Sequence, residues 1–431
     1  MNSAALLLTV FLVLVFLRAP VSVALLLSGI AAALNEDINL IVLAQQVWKG
    51  LDSFTMLAIP LFLLSGAFME SGGIVERIAK FSQTLVGHIR GSLGHVTILC
   101  NMLLAGVSGS ATADAAAVGG MFIPAMKKGG YSGELAAAIN AASATMGPII
   151  PPSLIMVVYA ASAGVSTGVL FLCGVIPGIL VGLTQMVVVY RYAKKNNLGA
   201  GAKMPPLGVI AREFVGCFPA LLVPVIIIVG IVAGIFTATE AAMVAAWYCM
   251  LVSMLLYKSI KPRELPRIFR SAALAAAPCL FCIASASVFG WMLAYLDIPD
   301  MLMEAMAPFI TGEISLLLML TLLFIVVGMF MDALPAIVIF QPIVAALAAG
   351  VGADTMHVAI VISLVLCFGL MTPPYGITLL LSAQIAGVRA LSSAKLLIPF
   401  YIVFLTIVAV VILFPDSAMW LPKMLMPGSF S

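Results

Sequence analysis

The residues best suited to chemistry lie in a run of small and polar side chains at positions 106–114, Gly-Val-Ser-Gly-Ser-Ala-Thr-Ala-Asp. Such a run lets one helix end and another begin, which exposes carbonyl groups at one end and N–H groups at the other. Carbonyls and hydroxyls suit a hard cation such as Na⁺, and a helix N-terminus suits a carboxylate. The alternative is that Ser110, Thr112 and Asp114 only cap a helix. The candidate ligands are Ser108, Gly109, Ser110, Thr112 and Asp114.

A second run, Gly147-Pro-Ile-Ile-Pro151-Pro152-Ser153, interrupts a long apolar stretch. Because proline has no N–H to continue the hydrogen bonding of a helix, this run predicts a broken helix. A break inside a membrane is costly unless it lines a cavity or binds something. We therefore expect these residues to face the first run, although a proline kink that serves packing alone fits the same pattern.

Both runs have a counterpart later in the chain. Asp114 and Asp332 are 218 positions apart, and Gly147 and Gly369 are 222 apart, so a four-residue insertion aligns the two copies. The second hairpin centre, Val327–Asp332, is much less polar than the first. The two copies are therefore expected to share an architecture and to differ in their ligands. The second-copy candidates are Gly328, Asp332, Gly369, Thr372, Pro373 and Pro374.

The elements that position these residues must lie in a membrane. Of the 431 residues, 64% are hydrophobic and 9% are charged, whereas a soluble domain carries roughly a quarter charged residues. So little charge cannot cover a soluble surface, and the apolar surface must face lipid. The net charge of +3 gives no basis for nucleic-acid binding. The basic residues form short clusters between apolar stretches, which is a signal of membrane topology.

The apolar stretches predict an all-α polytopic fold made of two repeats. Segments 91–126 and 313–349 are expected to be hairpins of half-length helices, and segments 135–163 and 358–386 to be broken helices. Basic residues at both ends of the first hairpin place both ends in the cytoplasm, so the hairpin is re-entrant. The other expected spans are Leu6–Leu17, Val21–Leu34, Phe54–Met69, Val169–Tyr190, Phe214–Phe236, Ala238–Tyr257, Ala272–Tyr295 and Leu396–Phe414.

A polar stretch divides the chain in two. Residues 191–213 are expected to form a cytoplasmic linker between a first repeat, 1–190, and a second, 214–431. Five crossings in each repeat would turn the second copy upside down in the membrane. Inverted repeats with paired broken helices are typical of secondary transporters that bind their substrate near the midplane. Residues Ile74–Arg90 are expected to form an amphipathic helix at the cytoplasmic interface.

Other ionisable residues give weaker signals. Glu240 begins a predicted span, where an ionisable residue is either functional or a carboxylate that favours the helix N-terminus. His88, His95 and His357 are expected to be structural, since no acidic cluster pairs with them in the sequence. The sequence contains no zinc-protease, nucleophile-elbow or P-loop motif. An intramembrane enzyme is therefore disfavoured.

Five short runs, taken together, have the pattern of a known family. They are Ser108-Gly-Ser-Ala-Thr-Ala-Asp114-Ala-Ala-Ala-Val, Ile123-Pro-Ala-Met126, Gly147-Pro-Ile-Ile-Pro-Pro-Ser153, Phe236-Thr-Ala-Thr-Glu240-Ala and Thr372-Pro-Pro374. With them, essentially the whole chain closely resembles the large membrane subunit of TRAP transporters, the tripartite ATP-independent periplasmic transporters. The chain resembles the unfused form of that subunit, without an extra four-helix segment at its start.

The resemblance implies an elevator-type ion transporter in the bacterial inner membrane. Such proteins work with a small four-helix membrane subunit and a periplasmic substrate-binding protein. A Na⁺ gradient drives the uptake of organic acids such as C4-dicarboxylates or sialic acids. The implied Na⁺ ligands are Ser108, Ser110, Gly147, Pro151, Gly328, Gly369 and Thr372, with Asp332 as the counterpart of Asp114. The expected substrate ligands are Ser108, Gly109, Ser110, Thr112, Ser153 and Thr372.

Two other readings of the same residues stay open at this point. A self-sufficient symporter, driven by Na⁺ or H⁺ and working without a binding protein, has the same architecture. A membrane scaffold that only docks other subunits is disfavoured, because a scaffold has no need of two broken helices. No arginine stands in the apolar centre as a carboxylate clamp, so recognition of an anion is expected to rest on helix-end amides and hydroxyls.

Overall fold

The computed structural model describes residues 3–17, 19–199, 204–306 and 309–429. The described part is helical and contains no β-strand. Residues 200–203 of the expected linker, with Lys203, lie outside the described residues. The helices before the linker are α1 Ser3–Phe16, α2 Val21–Asn35, α3 Leu40–Leu51, α4 Ala58–Ser71, α5 Ile74–Val86, α6 Ser92–Ser108, α7 Ala111–Lys128, α8 Gly133–Ala144, α9 Leu154–Ala163 and α10 Thr167–Lys195.

The second part of the chain is also helical in its described residues. It follows the linker. The short π-helical segment Val252–Leu256 extends the helix Ala238–Leu251. The helices are α11 Leu207–Val232, α12 Ala238–Leu251, α13 Leu265–Tyr295, α14 Ile298–Met306, α15 Glu313–Gly328, α16 Ala333–Val351, α17 Thr355–Gly369, α18 Ile377–Ala386, α19 Ala390–Leu413 and α20 Asp416–Leu425.

Seven helices within the described residues are long and apolar enough to cross a membrane. Helices α1 and α2, with 14 and 15 residues, are about 21–23 Å long at 1.5 Å per residue. That length is shorter than the roughly 30 Å of hydrocarbon in a bilayer. The count of five crossings per repeat therefore stays a prediction. The seven helical stretches are Phe54–Ser71, Thr167–Lys195, Leu207–Val232, Ala238–Leu256, Pro262–Tyr295, Ala333–Val351 and Ala390–Leu413.

Pairs of packed helices lie where the two hairpins were predicted, and helix ends lie within both segments predicted to be broken. Helices α6 and α7 form the first hairpin, and α15 and α16 form the second. Their lengths of 17, 18, 16 and 19 residues show that the expectation of half-length hairpin helices was wrong. No run of helix-ending residues occurs within an arm before its tip. Pro124 and Pro342 lie inside α7 and α16 without ending them.

The short amphipathic helices were only partly expected. Helix α5 begins at Ile74 as predicted but ends at Val86, where Gly87 and a turn follow. It buries one face, which includes Ile74 and Ile78, and packs on α6 and α11. Helices α3, α14 and α20 were not predicted. All three are short and partly polar, so a search for apolar stretches of spanning length passes over them.

The helix contacts follow the order of the two repeats. Helix α4 packs on α12. Helix α13, the predicted counterpart of α4, packs in the same way on α2, the predicted counterpart of α12. The two breaks lie among the hairpins, because α18 packs on α7 and α8 while α9 packs on α16. The core therefore holds both hairpins and both broken helices. Inversion of one repeat relative to the other in the membrane stays a prediction.

Candidate functional site

The first hairpin tip is a two-residue junction between α6 and α7. Gly109 has a left-handed backbone with φ of 62°, which favours glycine. A Cβ at this position would also lie 2.6 Å from the carbonyl oxygen of Pro152. Ser110 caps α7, since its side chain accepts a hydrogen bond from the N–H of Ala113. The tip is therefore held directly against the break between α8 and α9.

Asp114 is buried just inside the tip and does not cap the helix. Its Oδ1 accepts a hydrogen bond from the Ser108 hydroxyl at 2.5 Å. Its Oδ2 is buried and has no partner among the described residues. A buried carboxylate oxygen without a partner is costly. The arrangement therefore calls for a cation or a proton at Oδ2.

The break of the first repeat supplies the wall opposite Asp114. A Cβ on Gly147 would lie 2.5 Å from Asp114 Oδ2 and 3.1 Å from the backbone N of Ala111. Only a glycine fits so close to the carboxylate. In helical register the carbonyl of Gly147 would accept from residue 151, but Pro151 has no N–H. No donor in the described part of the chain bonds this carbonyl, which leaves it available to a cation.

The second hairpin tip also meets its break, but by backbone packing. A Cβ on Gly369 would lie 2.7 Å from the Cα of Gly328. The N–H of Tyr375 donates to the carbonyl of Met329 at 3.0 Å. Asp332 is the N-cap of α16 and accepts from the N–H of Ala333 at 2.8 Å. One oxygen of this carboxylate is therefore already engaged.

The carbonyls at the start of the second break accept hydrogen bonds within the chain. The N–H of Thr372 donates to the carbonyl of Gly369 at 2.9 Å, and the N–H of Thr378 donates to Leu370 at 3.0 Å. The Thr378 hydroxyl donates to the same Leu370 carbonyl at 2.8 Å. Thr372 is itself buried and donates its hydroxyl to Phe368. The second break therefore offers fewer free oxygens than the first.

The other predicted ligands of the first repeat make different contacts from one another. Ser153 is fully buried, caps α9 and donates its hydroxyl to the carbonyl of Pro148 at 2.5 Å. Thr112 is within hydrogen-bond distance of Ser110, with 3.1 Å between the hydroxyl oxygens. The carbonyl oxygen of Pro151 lies 3.6 Å from where a Cβ on Gly106 would stand. The structure thus gathers Ser108, Ser110 and Gly147 around Asp114, while Ser153 lies behind the break.

Three buried amides near this site were missed by the sequence analysis. Asn101 donates to the Ser143 hydroxyl at 2.6 Å, Asn140 donates to the carbonyl of Ala115 at 2.9 Å, and Gln185 donates to a carbonyl of α8 at 3.0 Å. The side-chain oxygens of all three amides are buried without a partner in the described part of the chain. Polar side chains inside apolar spans are a signal of function, and that signal was present in the sequence.

A cavity of about 140 Å³ opens beside the first tip. Ser108, Ser110 and Asp114 line one side, and Glu70 of α4 and Ser271 of α13 line the other. Its volume is below the roughly 300–1,000 Å³ that is usual for sites of small organic molecules. In this conformation the cavity suits ions and water. Among the described residues, no group of three or more His, Cys, Asp and Glu side chains could hold a metal ion, so a transition-metal site is not indicated there.

Two ionisable residues outside the tips have structural roles. Glu240 accepts from the N–H and the hydroxyl of Thr237, both at 2.8 Å, in a capping box. This agrees with the second of its two predicted roles. His357 lies 2.7 Å from Glu313 through Nδ1 and 2.8 Å from the carbonyl of Val411 through Nε2. The structural role expected for His357 agrees with these contacts, although its pairing with the single residue Glu313, 44 positions away, was not anticipated.

Hairpin tips that pack on helix breaks, in a chain with several helices able to cross a membrane, are typical of a polytopic membrane transport protein. A family model for the DctM component of tripartite ATP-independent periplasmic transporters matches residues 8–417. The chain belongs to this family. It is an integral membrane protein, a large permease component for substrate uptake, and not an enzyme.

Individual relatives agree over almost the whole chain. A putative TRAP transporter large permease of Haemophilus influenzae is 37% identical, covering 95% of this chain and 96% of that one. The sialic acid permease SiaM of Vibrio cholerae is 34% identical with the same coverage. The C4-dicarboxylate permease DctM of Pseudomonas aeruginosa is 35% identical, covering 89% and 90%. The solved YdaH transporter of Alcanivorax borkumensis shares the fold, with a TM-score of 0.63, 13% identity, and coverage of 87% and 88%.

Proposed function

We propose that this chain carries out Na⁺-coupled uptake of a carboxylate-bearing organic acid across the bacterial inner membrane. A periplasmic binding protein would deliver the acid, and a small four-helix subunit would complete the membrane complex. The unpartnered Oδ2 of Asp114, enclosed by Ser108 and Gly147, is the observation that carries the proposal. Oxygens of this kind coordinate a hard cation such as Na⁺.

The first cation site is built from the first hairpin and its break. Asp114 supplies a full charge, Ser108 and Ser110 supply hydroxyls, and the Gly147 carbonyl is free because Pro151 cannot donate to it. Oxygen donors of these kinds suit Na⁺. A second site would use the free oxygen of Asp332 together with Gly328, Gly369 and Thr372. Because more of its oxygens are engaged within the chain, this site should bind Na⁺ more weakly.

The class of substrate rests on the relatives and on the tip. Permeases named for sialic acid and for C4-dicarboxylate are each more than 30% identical to this chain, and both acids carry a carboxylate. In the first hairpin the N-terminus of α7 points its N–H groups toward the tip, where they favour an anion. Ser108, Gly109, Ser110 and Thr112 would bind the acid there, after the small cavity has widened.

The packing supports an elevator mechanism. The mobile unit would consist of 91–163 and 313–386, and the other helices would form the scaffold. Where the scaffold meets the first tip, it presents the small residues Gly66 and Ala67 from α4 and Ala272 and Ala275 from α13. A surface of small side chains lets one unit move past another without interlocking ridges.

Uptake into proteoliposomes tests the coupling. They would contain this chain with its small subunit, the binding protein outside, and labelled sialic acid or labelled succinate, with and without an inward Na⁺ gradient. The expected result is uptake of one acid that needs both Na⁺ and the binding protein. Uptake without the binding protein would favour the self-sufficient symporter, and uptake that ignores Na⁺ would favour protons.

A disulfide across the two units tests the movement. A Cβ on Gly290 of α13 would lie 3.6 Å from the side chain of Pro342 of α16, so Gly290→Cys with Pro342→Cys should cross-link and stop uptake until reduced. The control pair is Gly29→Cys with Val288→Cys, where the two Cβ atoms would lie 3.8 Å apart within the scaffold. This pair should form without loss of uptake. Full uptake with the first pair oxidised would refute the elevator.

A further inference from the structure

A second cavity, of about 310 Å³, shares no lining residue with the cavity at the first tip. Its walls come from α3 and α13 of the scaffold and from α9 and α16 of the mobile unit. The volume is within the roughly 300–1,000 Å³ usual for sites of small organic molecules. We name it the α3 pocket. Its polar and aromatic lining includes Gln46, Lys49, Ser162, Ser287, Trp291 and Gln341.

The chain order places the α3 pocket toward the non-cytoplasmic side. Helix α3 follows the acidic turn at Glu36 and Asp37. Helix α13 begins after a basic cluster at 258–270 and contributes only its later residues, Ile283–Trp291, to the pocket. Basic clusters mark cytoplasmic ends of spans, so the pocket faces the side from which uptake begins.

The charge in the α3 pocket is the reverse of that in the cavity at the first tip. Among the described lining residues, Lys49 is the one charged side chain, and the neutral ones offer hydroxyls and amides. The other cavity is lined by the acidic residues Glu70 and Asp114 and, in its described lining, by no base. The charged side chains that line the two cavities therefore differ in sign.

The amine of Lys49 has neither a hydrogen bond nor an ion pair within the described part of the chain, although Asp52 is only three residues away. A lysine on the non-cytoplasmic side runs against the usual distribution of basic residues. Helix α3 also packs closely on α13, because a Cβ on Gly50 would overlap the hydroxyl oxygen of Ser287. Lys49 is thus an exposed residue that lines a polar cavity and has no ion-pair partner among the described residues.

We propose that the α3 pocket receives the carboxylate of the transported acid on the periplasmic side, with Lys49 as its ion-pairing partner. Gln46, Gln341 and the serine hydroxyls would bind the acid's other polar groups. Both units wall the pocket, so an acid held there contacts the scaffold and the mobile unit at once. This inference rests on the proposed function, which it extends by a receiving site distinct from the hairpin tips.

Calorimetric titration of the purified permease, with its small subunit and no binding protein, tests the pocket. The probes are sialic acid, its methyl ester and succinate. At least one acid should bind the wild type, and Lys49→Gln should weaken that binding about tenfold or more, as for the loss of a charge-assisted bond. Lys49→Arg should bind within about threefold of wild type, and the uncharged ester should bind wild type and Lys49→Gln alike.

The matched control is Lys423→Gln on α20. Lys423 also lies in a short helix after a span, but it is paired with Asp416 at 2.7 Å and does not line the pocket. It should bind both acids as the wild type does. Equal acid binding by Lys49→Gln and wild type would overturn the inference, as would binding of neither acid to the wild type.

Adding the binding protein tests whether Lys49 helps to dock that protein instead of binding the acid. Lys49→Gln should bind the binding protein as the wild type does. If that docking were lost while acid binding stayed unchanged, the pocket would be a protein contact and the inference would be wrong. The titration contains no Na⁺ gradient and measures no uptake, so a failure of Na⁺-coupled transport would count against the proposed function alone.

Discussion

The first hairpin tip buries a carboxylate oxygen that no described group satisfies, whereas the second tip uses its carboxylate to begin a helix. Asp114 lies against Gly147 and bonds Ser108, while Asp332 caps α16. These aspartates occupy equivalent positions in the two repeats. At the first tip one oxygen of Asp114 therefore has no partner among the described residues, whereas at the second tip an oxygen of Asp332 is engaged in capping a helix.

The two hairpins also differ at their open ends, which we call their mouths: there the second repeat, and not the first, has an ion pair. In the second repeat Glu313 of α15 pairs with His357 of α17 at 2.7 Å. The offsets of 218 and 222 place His95 and Leu135 at the equivalent positions of the first repeat, where leucine cannot form an ion pair. The first repeat thus concentrates its polar chemistry at the tip, and the second adds an ion pair at the mouth.

The largest effect is expected from Gly147→Ala. The added Cβ would lie 2.5 Å from Asp114 Oδ2, and a misplacement of this kind at a functional site costs about 100-fold in rate. We expect Na⁺-driven uptake in proteoliposomes to fall by about that factor. Gly120→Ala in α7 is the control, since its Cβ would meet nothing within 4 Å. Normal uptake by the Gly147→Ala variant would show that the first break is not part of the cation site.

Asp114→Asn should produce the next largest effect. The substitution keeps the size and the bond to Ser108 but removes the charge, and bonds to charged groups contribute about 1.5–3 kcal/mol. The Na⁺ concentration for half-maximal uptake should rise about 30-fold. An unchanged Na⁺ dependence would show that the unpartnered oxygen serves something other than the coupling ion.

Asp332 provides the matched test in the second repeat. Asparagine caps a helix about as well as aspartate, so Asp332→Asn should fold normally and raise the half-maximal Na⁺ concentration by a smaller factor, about fivefold. Asp332→Ala should in addition lose about 1 kcal/mol of stability with the cap. Thermal unfolding in detergent separates the two effects. A Na⁺ shift as large as that of Asp114→Asn would mean that the two tips are equivalent.

A smaller effect, on stability, is expected from His357→Leu. It leaves Glu313 without its partner, and because Glu313 is partly exposed the loss should be about 1–2 kcal/mol. The double variant His357→Leu with Glu313→His recreates the pair His95 and Leu135 of the first repeat. It should recover part of the lost thermal stability. No recovery would show that the two mouths do not correspond.

The smallest effect is expected from Glu240→Gln on the scaffold. Glutamine also completes a capping box, so uptake should stay within about twofold of wild type. Glu240→Ala, which removes the bonds to Thr237, is the companion variant and should lower the melting temperature slightly. A large loss of Na⁺-dependent uptake in Glu240→Gln, with normal stability, would assign this scaffold carboxylate to ion binding.

Much of the architecture was predictable because it depends on local chemistry. Prolines at 148, 151 and 152 remove backbone donors, and Gly109 permits a left-handed turn, wherever these residues lie. The breaks and tips were therefore predicted within a few residues. The lengths of the hairpin arms were not, and neither were α3, α14 and α20, since their stability comes from packing on other helices and not from long apolar stretches.

The sequence by itself determined that this chain lies in a membrane, and it predicted two related halves, each with a hairpin and a broken helix. It also pointed to the residues of the first tip. Only the tertiary structure decided that Asp114 faces Gly147 and that Asp332 is a cap. It alone paired His357 with Glu313 and brought Lys49 to a polar cavity. These outcomes depend on contacts between residues far apart in the chain, which composition, spacing and local propensity do not specify.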